Sequence, residues 1–222
     1  MTADPVLRLR LNGLSLGGSP ILGAVALDLA PRETLAMVGP SGIGKSTLLR
    51  IFAGLEGGYD GTCTVRGRSA IVFQEPALLP WRTLLDNLIV TACVSRAGAL
   101  EALEDVGLAD RADTFPGRLS LGQQRRMALA RAFAVRPDLL LLDEPFVSLD
   151  PALVEEMMQL FVRLRDRHAV ATVLVTHVRE EAARLADRIV TLGGAPARIT
   201  SVVQNSGAYF QSSASGVTAA GS

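Results

Sequence analysis

The segment from Glu33 to Ala53 constrains this chain more than any other. A short apolar, strand-like run, Glu33-Thr34-Leu35-Ala36-Met37-Val38, leads into Gly39-Pro40-Ser41-Gly42-Ile43-Gly44-Lys45-Ser46-Thr47, and a helix-like stretch, Leu48-Leu49-Arg50-Ile51-Phe52-Ala53, follows at once. Strand, glycine-rich loop and helix in that order build a cradle for phosphate. The glycines let backbone NH groups converge on an anion, the helix start aims unpaired donors and its positive dipole end at the same point, and Ser46 offers a hydroxyl to Mg²⁺. Lys45 is the only lysine in the chain; the remaining Lys-plus-Arg total is all arginine. A compact ammonium enters a narrow loop as a point charge, whereas the broad guanidinium fork does not fit. Lys45 is therefore assigned to the β and γ phosphates of a nucleotide.

A length of 222 residues with 49% hydrophobic content fits one large domain, or a domain with an insertion, around a substantial core. The formal net charge is zero, so nothing in the balance argues for a nucleic-acid or anionic-lipid surface, and no nucleic-acid partner is expected. Cys63 and Cys93 have no metal-ligand spacing and are expected as reduced, buried thiols. Met1 to Asn12 lacks a basic segment followed by an apolar core, and no stretch approaches the roughly 20 apolar residues needed to span a bilayer. The chain is expected to be neither exported nor membrane-spanning by itself.

Apolar, β-branched-rich runs at 35–38, 70–73, 139–142, 170–175 and 189–192 alternate with helical patterns, which predicts an α/β fold with a mostly parallel sheet covered on both faces. Shorter runs at 6–11 and 62–65 predict an antiparallel edge sheet. Strand signals vanish between Pro76 and Val135, where helical segments near 83–93, 99–106 and 121–134 predict a helical insertion, about 77–135, in a single domain over 1–200. Asp150 as cap and Pro151 as first residue predict a long helix to Arg167, and a second runs from Val178 to Ala186. Beyond Ser201 the residues are small and polar, and 201–222 is expected to be a poorly ordered tail.

Leu139-Leu140-Leu141-Leu142-Asp143-Glu144 reads as a buried strand ending in two acids, and strand alternation is expected to point them differently. Asp143 is placed to hold Mg²⁺, and Glu144 to accept a proton from the water that attacks the γ-phosphorus. The segment Leu119-Ser120-Leu121-Gly122-Gln123-Gln124-Arg125-Arg126 opens a helix whose Ser120 and Gln123 form a capping box.

That last segment, Leu-Ser-x-Gly-Gln before a basic, alanine-rich helix, resembles the signature of ATP-binding cassette ATPases. The other motifs of that family follow in order over roughly Leu7 to Arg198. The phosphate loop is similar to the Walker A motif of a P-loop NTPase core and Leu139 to Glu144 to Walker B; Gln74 resembles the Q-loop glutamine, Ser148-Leu149-Asp150 the D-loop, and His177 the switch histidine. The resemblance implies ATP and Mg²⁺ as ligands, with Gly39 to Thr47 holding phosphate and Ser46, Gln74 and Asp143 around the metal. It implies catalysis by Glu144 with His177 and Gln74. It further implies a head-to-tail homodimer in which Ser120, Gly122, Gln123 and Asp150 of one copy complete the nucleotide site of the other. His168, at a helix end beside Arg167, is expected to be solvated or to interact with the helix dipole. Leu16 stands where an adenine-stacking aromatic is expected, and Leu121 where the signature more often has glycine.

Gln74 to Thr83, with the only tryptophan, Trp81, resembles the matching stretch in ATPases of the nitrate, sulfonate and taurine importer group. There a permease docks beside the Q-loop, so Trp81 is either a docking anchor or a ring packed inside the insertion. The implied protein is a peripheral ATPase on the cytoplasmic face of the inner membrane, serving permease subunits and, through them, an extracytoplasmic substrate-binding protein. The alternatives are a soluble cassette ATPase acting on nucleic acid or ribosomes, a small-molecule kinase, and a nucleotide-gated module that does not hydrolyse ATP.

Overall fold

The structure, a computed structural model, describes residues 4–205. Strand β1 (Leu7–Leu16) is flanked on its two sides by β3 (Val25–Leu29) and β5 (Asp60–Val65), and its far end pairs with β2 (Ser19–Leu22), all antiparallel. Leu7, Leu9 and Leu11 turn inward while Arg8 and Arg10 face water, the alternation of a sheet covered on one face.

The second sheet has six strands in the order β10-β9-β4-β8-β7-β6. Its parallel members are β9 (Arg188–Gly193), β4 (Thr34–Val38), β8 (Ala171–Val175), β7 (Leu139–Asp143) and β6 (Ser69–Val72), and antiparallel β10 (Arg198–Gln204) closes one edge. The four leucines of β7 show why parallel strands read as continuous apolar runs. Leu139 and Leu141 enter one hydrophobic cluster, shared with α1 (Lys45–Phe52) and the antiparallel sheet, while Leu140 and Leu142 enter the other, on the opposite face. All four are fully buried.

The second cluster is covered by the insertion helices α2 (Leu84–Thr91), α3 (Arg96–Asp105) and α4 (Leu121–Ala134) and by α5 (Pro151–His168). A short helix of seven residues, α6 (Arg179–Leu185), packs Ala182 against Ala36 and Val38. Helix α5 starts as its sequence dictates, with both Ala152 and Leu153 donating their NH groups to Asp150 Oδ1 at 3.1 Å and Pro151 needing no partner. Phe161 on this helix is fully buried. Phe161→Ala is expected to lower unfolding stability by about 3–5 kcal/mol, read as a lower denaturant midpoint at unchanged slope.

One expectation changes at the C-terminal side. Ser201–Gln204 are the end of β10 and not the start of a tail, because their backbone continues the ladder to β9 although every side chain there is exposed. Residues 206–222 lie outside the described residues. No helix among the described residues is long and apolar enough to cross a membrane.

Candidate active site

Four parallel strands deliver their C-terminal ends to one edge of the sheet, where ligands bind in open α/β folds. β4 runs into the loop 39–44, β6 toward Gln74, β7 into Asp143 and Glu144, and β8 into Thr176 and His177. Backbone bonds knit these ends together: Thr176 NH donates to Met37 O at 3.2 Å and Glu144 NH to Val175 O at 3.0 Å.

In the loop, Gly42 (φ 75°) and Gly44 (φ 105°) adopt left-handed backbone that glycine alone takes without penalty. Around a Cβ placed on Gly42 there is open space, so an anion can approach the backbone there; a Cβ on Gly44 would meet Leu22 Cδ2 at 2.8 Å. Lys45 is only 4% exposed, and its ammonium donates to the carbonyls of Gly39 at 2.9 Å and Pro40 at 2.8 Å. Burial pulls its pKa below the usual value, against the opposing pull of Glu144 and Asp143. Helix α1 has no side-chain cap, which leaves its N-terminal donors for an anion.

Ser46 Oγ donates to Asp143 Oδ1 at 3.0 Å. Burial pushes the Asp143 carboxyl above its ordinary pKa and Glu144 adds to that, while the Ser46 hydroxyl, Arg50 and Lys45 pull it down. A hydroxyl and a half-buried carboxylate side by side are hard oxygen donors, which fits Mg²⁺. Strand β7 ends at Asp143, and Glu144 takes a left-handed φ of 46°. The two acids thus diverge through a backbone turn and not, as expected, through strand alternation. The turn brings Glu144 Oε2 to 3.3 Å from His177 Nδ1. A non-glycine residue held in this conformation is the kind of strain that collects at functional sites. Gln74 lies exposed past the end of β6.

Sequence reasoning passed over Glu181. Only 8% exposed, it accepts the Thr176 hydroxyl at 2.5 Å, and Thr176 Oγ1 in turn accepts the NH of Val178 at 3.0 Å, so the turn carrying His177 is clamped from below. Burial raises the Glu181 pKa, with the Thr176 bond opposing. A carboxylate four residues past the histidine, amid apolar neighbours on a short helix, was the available signal.

The signature end of α4 stands apart. Gln123 NH donates to Ser120 Oγ at 3.3 Å and Ser120 NH to Gln123 Oε1 at 3.1 Å, the reciprocal capping box the sequence predicts. Ser120, Gly122 and Gln123 line their own cavity of about 330 Å³ with Leu108, Arg126 and Leu153. Among the described residues no hydrogen bond or ion pair joins Ser120, Gly122 or Gln123 to the loop 39–47. Asp150 is engaged in capping α5, and Leu153 in that helix packs so closely on Gly122 that a Cβ there would come within 2.9 Å.

Trp81 is 69% exposed, which excludes packing inside the insertion, one of the two readings of that ring. Two other surroundings differ from expectation. Cys93 is exposed and Cys63 half-buried, both free thiols. His168 is half-buried with its ring 5.2 Å from that of Phe133 and its Nε2 shielded without a hydrogen bond, and burial lowers its pKa. Leu16 and Leu121 are both partly exposed, at 40% and 42%.

The family profile described as ABC transporter matches residues 22–147. The aliphatic sulfonates import ATP-binding protein SsuB of Granulibacter bethesdensis is 46% identical over 194 residues, 86% of this chain and 82% of its own length. SsuB 3 of Nocardia farcinica is 45% identical over 193 residues, 86% and 78% of the two chains. Among solved structures, the ATP-binding cassette MJ0796, a dimer in a post-hydrolysis state bound to ADP and Pi, superposes with a TM-score of 0.78 at 29% identity, covering 89% of this chain and 98% of that one. With the profile spanning more than half its length and relatives aligned over most of theirs, the chain belongs to the ABC transporter family as an ATP-binding, ATP-hydrolysing member.

Proposed function

We propose that this ATPase is the peripheral motor of an importer for small anionic organic solutes of the sulfonate kind, working as a homodimer under a membrane permease at the cytoplasmic face. The observation that carries the reading is the division of the site. Ser46 and Asp143, Glu144 and His177 meet at one sheet edge, whereas the capped start of α4 lines a separate cavity whose wall includes no residue of the nucleotide loop. A second copy, head to tail, supplies what the first lacks.

In this assignment the backbone NH groups of Gly39 to Thr47 and the Lys45 ammonium hold the phosphates, with Ser46, Asp143 and Gln74 around Mg²⁺. The metal, when bound, neutralises phosphate charge that builds up in the transition state. Glu144 takes the proton from the attacking water, and His177, held beside it by the Thr176–Glu181 clamp, steadies the γ-phosphate. The partner's Ser120, Gly122 and Gln123 present a helix N-terminus to the same phosphate, with Asp150 shaping the turn between. The exposed Trp81, seven residues past Gln74, is the docking anchor for the permease, and a substrate-binding protein outside the membrane delivers the solute. The names of the relatives, all import ATP-binding proteins, support this reading over a cassette ATPase acting on nucleic acid or ribosomes.

Recovery of the Glu144→Gln protein from solubilised membranes with Mg-ATP tests it. A polytopic permease is expected to accompany the protein and to be lost in Trp81→Ala; ribosomal proteins or DNA in its place would refute the transporter assignment.

A further inference from the structure

Arg125 presents an unresolved charge. It lies in the second turn of α4, five residues past the Ser120 cap, and is 6% exposed. Its Nη2 makes one long hydrogen bond, 3.4 Å, to the carbonyl of Val147, while Nε and Nη1 are shielded from water with no partner among the described residues. Buried cations are costly unless paired, and a guanidinium with two idle nitrogens is the least favourable form. Burial lowers the Arg125 pKa accordingly, and the carboxylate opposing that shift is Glu75. Glu75 is itself exposed and makes no hydrogen bond or ion pair among the described residues.

The backbone that carries Glu75 is already tethered to the same helix. Arg131 Nη1 donates to Ala77 O at 2.6 Å and Arg131 Nη2 to Pro76 O at 3.0 Å. One arginine of α4 thus grips the segment that follows Gln74, and a second carries two unsatisfied, shielded donors within the electrostatic influence of the Glu75 carboxylate. Val147 belongs to the turn between Glu144 and Asp150, so Arg125 touches that turn as well.

We propose that Arg125 is a positioning residue whose guanidinium receives the Glu75 carboxylate on Nε and Nη1 when the nucleotide-bound dimer closes, locking the Gln74–Ala77 segment and the Val147 turn to the signature helix. The proposal rests on the dimer reading above. A planar fork offering Nε and one Nη to a carboxylate is the bidentate geometry arginine favours. The pairing takes hold only when Glu75 leaves solvent, so it acts as a latch between the permease-facing segment and the helix whose start meets the partner's nucleotide. Motion felt at one end is thereby transmitted to the other.

The test is ATP turnover by the purified full chain carrying Glu75→Gln, Arg125→Gln or both, with thermal midpoints in the absence of nucleotide. Each single change is expected to lower kcat about tenfold with KM for ATP within about twofold, and the double change to fall no further than the worse single. Glu75→Gln is expected to leave the nucleotide-free midpoint unchanged, which a purely structural role of the pair does not predict. Because Glu75 is exposed, that variant folds even if Arg125→Gln does not. Turnover of Glu75→Gln near that of the parent, or losses that multiply in the double variant, overturns the proposal. Turnover that survives Glu144→Gln overturns the site reading and this proposal together, whereas normal sensitivity to Glu144→Gln with an inert Glu75→Gln overturns this proposal alone.

Discussion

Glu144→Gln is expected to reduce ATP turnover by about 10²–10⁴-fold, the range supplied by a positioned general base. The amide keeps the size of the carboxylate but accepts no proton from the lytic water. The change leaves the local fold intact for identifiable reasons. The NH that ties residue 144 to Val175 belongs to the backbone, and glutamine tolerates the left-handed φ no worse than glutamate. It also removes a negative charge that raises the Asp143 pKa, which favours the ionised carboxylate a metal needs. Mg-ATP is therefore expected to bind and to accumulate the closed dimer, visible as a doubled mass by light scattering. Phosphate release within tenfold of the parent would sink the assignment of Glu144 as base.

Lys45→Arg is expected to have the next largest effect, and on binding. The ammonium fills a pocket closed by two carbonyls and is almost without solvent contact. A guanidinium there overpacks the loop by about 1–3 kcal/mol and forfeits a charged hydrogen bond to phosphate worth about 1.5–3 kcal/mol. Together these weaken nucleotide affinity by roughly 10²–10⁴-fold. Titration with a fluorescent ATP analogue reads this directly; affinity within fivefold of the parent would mean that charge alone, and not shape, explains the lysine.

The sequence was most legible where one signal determines one outcome. The runs at 35–38, 139–142 and 170–175 became β4, β7 and β8 because strands buried on both faces must be nearly continuously apolar. The capping box at Ser120 and Gln123 and the Asp150–Pro151 start were readable because caps are local chemistry. β3 carries a legible strand signal, since Val25, Leu27 and Leu29 alternate inward. β2 and β10 were harder: β2 is four residues with Pro20 among them, and β10 is held by backbone pairing with its side chains in water. Helix α3 begins three residues earlier than expected, at Arg96, because Ser95 caps it by accepting the NH of Gly98. At the site, the residues were legible but their relations were not. The turn that swings Glu144 toward His177, the Thr176–Glu181 clamp and the burial of Arg125 all arise from contacts between segments far apart in the chain.

Concealment of Lys45 has a consequence beyond catalysis. The folded subunit offers electrophiles almost no side-chain amine, for the sole candidate is screened by two carbonyl groups, and a triphosphate would screen it again. Acylation, glycation or any conjugation that needs a primary amine on a side chain can strike this protein at one place alone, and only while its cradle gapes.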